Sequence, residues 1–192
     1  LRGGPSLRIG GNTNAEIFVQ TNSSKDLFFA AGTDYDIRDD NVSESQEYTF
    51  FAQWIIDDRL SFSSETSYIN ETDYNQYVMQ KIVNDNREYI VGEIDRQTIY
   101  TTLRAELFVT PELSFQYYGS PYASSGNYSN YRKVEHSLAK DSEERYESLL
   151  VENKQYLTGP SNVMYHNFES WTPDFNFQEF RSNFVARWEY KT

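Results

Sequence analysis

From Thr98 to Tyr118 the chain alternates with a period of two, broken only at Thr110-Pro111-Glu112. Ile99, Thr101, Leu103, Ala105, Leu107 and Val109 fall on one set of positions, and Thr98, Tyr100, Thr102, Arg104, Glu106 and Phe108 on the other. After the break, Leu113, Phe115 and Tyr117 alternate with Ser114, Gln116 and Tyr118. This is the pattern of two strands with unlike faces joined by a tight turn. The run before the turn has the roughly ten to twelve residues that a tilted strand needs to cross a bilayer.

The same pattern recurs along the chain. Ala15, Ile17 and Val19 alternate with Glu16, Phe18 and Gln20, and Asn22-Ser23-Ser24-Lys25 reads as a tight turn. Leu27, Phe29, Ala31 and Tyr35 continue one face of the return strand. Tyr48, Phe50, Ala52, Trp54 and Ile56 form the next apolar set, Asp57-Asp58 a second tight turn, and Leu60, Phe62, Ser64, Thr66 and Tyr68 the strand after it. A last strand starts near Phe180, with Phe184, Ala186, Trp188 and Tyr190 facing one way and Arg181, Asn183, Val185, Arg187 and Glu189 the other. Between these strands the polar stretches 37–46, 70–88 and 119–176 read as long loops, the second on extended strand ends and followed by a long strand from Tyr89 to Val109. A short helix over 142–156 is expected in the last one, capped by Asp141 or Ser142, with Glu143 and Glu144 suited to its N-terminal dipole. Short turns at one end and long polar loops at the other are the pattern of an outer-membrane β-barrel. The expected fold class is therefore all-β, an antiparallel transmembrane β-barrel, with about seven of its strands present here. A soluble, aromatic-rich β-sandwich that binds carbohydrate is the alternative.

Composition agrees with strands that hide one face from lipid. Hydrophobic residues are only 38% of the chain, yet aromatics reach 17%, with 16 Tyr and 13 Phe. Amphipathic rings suit the two membrane interfaces. The net charge of −12 argues against a nucleic-acid partner, which needs a basic patch. Cysteine is absent, so disulfides and thiolate metal sites are excluded. No apolar run approaches the length of a transmembrane helix, which leaves strands to make any crossing. The chain begins at Leu1 without methionine and stops at Trp188-Glu189-Tyr190-Lys191-Thr192, and both ends are read as cuts in a longer protein.

Candidate chemistry is sparse. Arg104 and Glu106, like Arg187 and Glu189, share the polar face of a strand, the lumen side of a barrel, where they would line a pore or balance neighbouring wall charges. Glu93 and Asp95, in Gly92-Glu93-Ile94-Asp95-Arg96, would lie about 7 Å apart on one strand face, within the span of a glycosidase carboxyl pair. The competing reading is a turn held by an Asp–Arg pair. A glycan-cleaving enzyme working through Glu93 or Asp95 is carried as a further hypothesis. Asp34, Asp36, Asp39 and Asp40 are dense in oxygen ligands for calcium at a surface loop, but the glycine and terminal glutamate of an EF-hand are missing. His136 and His166 show no paired spacing for a metal. No cofactor is expected. Tyr122, Tyr128 and Trp171 are candidates for stacking on sugar rings, or else belong to small cores that keep a large loop folded. Asn22-Ser23-Ser24, Asn41-Val42-Ser43, Asn70-Glu71-Thr72 and Asn127-Tyr128-Ser129 match the glycosylation tripeptide, a coincidence on a bacterial barrel.

Four segments carry a resemblance. They are Leu1-Arg2-Gly3-Gly4-Pro5, Val91 to Thr98, Thr110 to Asn130 with its Ser120-Pro121-Tyr122-Ala123-Ser124-Ser125-Gly126, and Pro173-Asp174-Phe175-Asn176-Phe177 through Arg181-Ser182-Asn183 to Tyr190. Together they resemble the C-terminal outer-membrane β-barrel domain of Bacteroidota proteins, a domain of unknown function that usually follows a carbohydrate-binding domain of the family-nine type. The resemblance implies a longer protein, with that domain and the first barrel strands before Leu1 and closing strands after Thr192. It implies outer-membrane lipid as a partner, and glycan and other outer-membrane proteins as further ones. It carries no catalytic residues; labels of glycan binding or hydrolysis in such proteins come from the other domain. The charged stretch from Asp141 to Leu157 departs from the family pattern and leaves the function of its loop open.

Overall fold

The computed structural model describes residues 3–39, 42–141, 143–153, 155–160 and 163–190. Seven long strands run as an antiparallel meander: β1 (Asn12–Gln20), β2 (Leu27–Arg38), β3 (Ser43–Asp57), β4 (Leu60–Val83), β5 (Asn86–Thr110), β6 (Leu113–Val134) and, after an excursion, a last strand (Phe175–Trp188) on the far side of β6. The excursion holds a single 3₁₀ turn (Glu143–Arg145) and four short strands, β7 (Tyr146–Ser148), β8 (Leu150–Glu152), β9 (Tyr156–Thr158) and β10 (Met164–Asn167). The last long strand is β11. β7 adds to the upper end of β6, while β8, β9 and β10 form a separate small sheet.

The three tight turns form where their side chains supply the missing acceptors. Asn22 Oδ1 accepts from the Ser24 amide at 2.9 Å. Asp57 Oδ1 accepts from the amides of Arg59 and Leu60 at 2.8 and 2.9 Å. Thr110 Oγ1 accepts from those of Glu112 and Leu113 at 3.2 and 3.1 Å. All three turns lie at one end of the sheet. Residues paired across an antiparallel ladder share a face, so the register carries the alternation of one strand to the next. Ile17 meets Thr33, Ala31 meets Phe50, Tyr48 meets Tyr68, Tyr68 meets Ile99, Leu107 meets Phe115, and Tyr117 meets Phe184. One face of the sheet is thus a continuous apolar band above the turns, and it is uncovered: Ile17 is 68% exposed, Phe50 50% and Trp54 52%. Its few hydroxyls answer one another, as Thr66 and Thr101 do at 3.0 Å. The opposite face is mainly polar, with Thr49 bonded to Ser67 and Thr98 to Ser124, and carries scattered aromatics such as Phe28 and Phe51, whose rings meet at 5.7 Å.

The sheet is open, with β1 and β11 at its edges and no barrel closed among the described residues. Several expectations are corrected. The stretch 37–46 is not a long loop, because β2 runs to Arg38 and β3 starts at Ser43. The stretch 70–88 is strand on both sides of a two-residue tip, Asn84-Asp85, whose φ values of 49° and 64° are those of a type I′ hairpin. The third irregular section shrinks to 135–174, since β6 continues to Val134 and β11 begins at Phe175. The asymmetry between the two ends lies mainly in strand length. β4, β5 and β6 have 24, 25 and 22 residues, so a 25-residue strand extends for about 80 Å. No helix spans 142–156. Asp141 does cap the one 3₁₀ turn, accepting from the Glu143 amide at 3.0 Å, while Ser142 lies outside the described residues. The helix stops there because Arg145 folds back, donating from Nε to the Ala139 carbonyl at 2.8 Å and from Nη2 to that of Lys140 at 2.9 Å, and Tyr146 to Ser148 then pair with β6.

The buried core is not in the wall. Ile90, Tyr131, Leu149, Leu157 and Tyr165 cluster where the upper ends of β5 and β6 meet the excursion, with Val78, Met79 and Phe168 packed around them. The excursion is tied down by Tyr165, whose hydroxyl donates to Glu88 Oε2 at 2.5 Å, and by Lys81, whose Nζ donates to the Met164 carbonyl at 2.5 Å.

Candidate functional site

A cleft of about 740 Å³ opens above the apolar band, with a floor from β4, β5 and β6 and a wall from the 3₁₀ turn and β7. Tyr74 and Asn75 come from an irregularity in β4, between Asp73 and Gln76, where the ladder to β5 loses its register. Glu93 follows a second irregularity in β5, and Asn130 sits in the left-handed region at φ 46°. These breaks turn polar side chains of the floor toward one hollow. The wall adds Glu143, Tyr146, Ser148 and Leu149.

Arg132 organises the hollow. Its Nη2 donates to the Tyr74 carbonyl and, at 3.3 Å, to Asn75 Oδ1, and its guanidinium lies over the Tyr146 ring at 4.8 Å. Its Nε is buried and has no hydrogen-bond partner among the described residues. Asn130 Nδ2 donates to Glu93 Oε2 at 2.7 Å and so fixes that carboxylate at the floor. Burial pushes the Tyr74 phenol up, and the carboxylates of Glu44, Glu93 and Asp95 push the same way. Burial also raises Tyr146, against the opposing charges of Arg132 and Arg145. Both hydroxyls therefore stay protonated and able to donate. Behind the cleft, burial raises the Asp73 carboxyl although the Asn75 amide donates to it at 2.8 Å. Lys133 pairs with Glu135 at 2.6 Å and Glu147 at 2.5 Å; burial opposes its charge, but these two hydrogen bonds hold the ammonium above its ordinary range.

The candidates named from sequence are scattered by this geometry. Glu93 lies in the cleft, but Asp95 does not line it and accepts from Thr72 Oγ1 at 2.8 Å. Gly92 to Arg96 is the middle of β5 rather than a turn, and Arg96, on the opposite face from Asp95, bonds to Glu71 across the ladder. Arg104 lies over Tyr118 at 5.9 Å on the polar face, where Glu106 stands opposite Gln116. Arg187, on β11, pairs with Glu189 just past the end of that strand. Tyr122 is in the wall, 6.0 Å from Phe177; the Tyr128 amide donates to Asp174; Trp171 packs edge-on against His166. The three do not form one stacking platform, and none lines the cleft. Asp34 and Asp36 accept from the amides of Asn14 and Asn12 along β2, and Asp39 adjoins Gly11. Asp40 lies outside the described residues, as does Asn41 of the second glycosylation tripeptide. Among the described residues no three His, Asp or Glu side chains gather closely enough to hold a metal ion.

Sequence reading missed Tyr74, Asn130, Arg132, Glu143 and Tyr146. One signal was available: Asn84-Asp85 is a type I′ turn pair, and a hairpin closed there brings the stretch around Tyr74 and Gln76 beside Glu93, with the shift at Tyr77/Met79 then setting Gln76 opposite Gly92.

Residues 3–188 match the family described as a domain of unknown function, DUF5916, and the chain belongs to that family. No curated protein and no solved structure matches it.

Proposed function

We propose that this member of the family is a run of outer-membrane β-barrel wall that carries a surface platform for capturing glycan-type nutrients, within a larger assembly of outer-membrane proteins. One observation carries the reading: the exposed apolar band on one face of all seven long strands, beside a polar opposite face. Leu27 to Tyr35, Leu60 to Tyr68 and Ile99 to Val109 give it nine to eleven residues of height. At a tilt of about 40° that is roughly 23–28 Å, the thickness of the lipid-facing band of such barrels. Tyr35, Tyr48 and Tyr68 stand at its upper border and Trp54 and Trp188 at its lower one, where interfacial rings belong. A water-soluble sandwich would cover this face with a second sheet, and among the described residues nothing packs on it. The free edges of β1 and β11 require further strands, of this chain or another, because an open edge has no place in lipid.

The three tryptophans test the reading. Trp54 and Trp188 lie on the band and Trp171 on the excursion. In vesicles whose acyl chains are brominated, variants that keep one tryptophan should be quenched at Trp54 and Trp188 and spared at Trp171. Equal quenching at the three, or a monomer that stays in solution without detergent, would sink the membrane reading.

A further inference from the structure

We propose that the cleft over β4, β5 and β6 is a binding site for an uncharged carbohydrate, held outside the bilayer. The inference names the ligand site of the capture platform and rests on the wall reading only for the cleft's outward position.

The charges select the ligand class. Glu93 and Glu143 face the hollow with Arg132, and Glu44 and Asp95 add to the negative field at Tyr74. An anionic sugar would meet more like charge than it could neutralise, since the Arg132 guanidinium is already engaged by the Tyr74 carbonyl, Asn75 and the Tyr146 ring. Among the described residues no third His, Asp or Glu joins Glu93 and Glu143 to hold a metal ion. An organic cation would have Arg132 beside it, covering one face of the ring it would seek.

A polyol suits what is left. Sugar hydroxyls both donate and accept, and the cleft sets acceptors beside donors: the carboxylates of Glu93 and Glu143 next to the protonated phenols of Tyr74 and Tyr146. The volume lies within the range of small-molecule sites.

The test uses the intact protein in a detergent without a sugar headgroup. Titration calorimetry is run with neutral hexasaccharides of glucose, xylose and mannose, with a hexagalacturonate and spermine as charged comparators. At least one neutral probe should bind, and both comparators should fail. Glu143→Gln, on an exposed side chain that the fold does not need, and Tyr146→Phe should each weaken binding at least tenfold. Trp171→Phe, outside the cleft, should bind as the parent does. Failure of every neutral probe, preference for a charged one, or parental affinity in both cleft variants would overturn the site. Bromolipid quenching of Trp54 and Trp188 on the same protein separates the two readings: quenching without sugar binding removes the site and keeps the wall, and sugar binding without quenching does the reverse.

Discussion

Ala52 and Gln53 are neighbours in β3 at nearly the same height, on opposite faces of the sheet. Ala52 pairs with Phe29 and Ser64 on the apolar side, and Gln53 with Phe28 and Ser63 on the polar side. Both side chains are partly exposed, so arginine fits at either without displacing a core. If the apolar face meets hydrocarbon, Ala52→Arg places a guanidinium near the middle of the band, far from the interfaces it would seek. Arginine at that depth on a lipid face costs about 2–4 kcal/mol. In water the same exposed change would stay within about 0.5 kcal/mol. Gln53→Arg enters the side that already holds Arg104, Glu106 and Arg187, and should cost next to nothing. The pair differs in face alone, so the gap between them measures what covers each side. Urea titration of the protein refolded into vesicles reads it, as a shift in midpoint at constant slope. A gap of 2 kcal/mol is roughly a thirtyfold change in the folding equilibrium. Two variants within about 0.5 kcal/mol of each other, or Gln53→Arg as the costly one, would refute the assignment of faces.

Two further outcomes test the platform. An ideal Cβ on Gly126 would stand 2.5 Å from Phe175 Cε1 and 2.9 Å from Ile94 Cδ1, so Gly126→Ala should destabilise the β6–β11 junction by about 1–3 kcal/mol in the same urea titration. Removing the ring with Phe175→Ala should relieve most of that loss; an unchanged midpoint in Gly126→Ala alone would contradict the packing. Burial, with the hydrogen bond to Glu88, pushes the Tyr165 phenol up to about 12. A raised pKa means that the fold prefers the protonated form, so this stability is complete below about pH 10 and lost as pH climbs toward 12. Tyr165→Phe should remove that group from the alkaline unfolding transition, with about one proton fewer released; tyrosinate absorbance beside the unfolding signal checks it, and the same proton release in both proteins would refute it.

The wall was legible because two independent signals coincided in it. Alternation marked the strands wherever one face was apolar, and Asn22, Asp57 and Thr110 placed the turns through their own side-chain acceptors. Both signals are local, and both fade at the top of the band. Above Tyr48, Tyr68 and Ile99, the residues that share their face are Gln46, Asn70 and Gln97, as polar as their neighbours on the other side. A strand polar on both faces has no period to read, so from the sequence alone these continuous ladders look like loops. The helix expected over 142–156 failed for a related reason. Glu143 and Glu144 favour a helical first turn, but one turn is a weak preference, and pairing of Tyr146–Ser148 with β6 outweighs it.

The cleft was illegible for a deeper reason than the loops. Arg132 and Tyr74 are 58 residues apart, and Asn130 and Glu93 are 37. They meet because β4, β5 and β6 outrun the apolar band and keep pairing above it. Neither spacing means anything until the Asn84-Asp85 tip sets the register. The ladder breaks at Asp73/Gln76 and Val91/Glu93 then decide which side chains face the hollow. A regular ladder would have continued both faces upward with no concavity to fill. The register shifts occur above the band, apart from those next to the tight turns at Ile55/Asp57 and Phe108/Thr110; within it the β5–β6 ladder keeps its register but skips Thr101 and Thr102, where Pro121 offers no amide hydrogen. That division fits the placement proposed above. If the band meets lipid, its backbone groups must be bonded within the sheet, which a ladder in constant register favours. Above the band, water can answer the groups that a bulge frees, and the same strands can bend into a site.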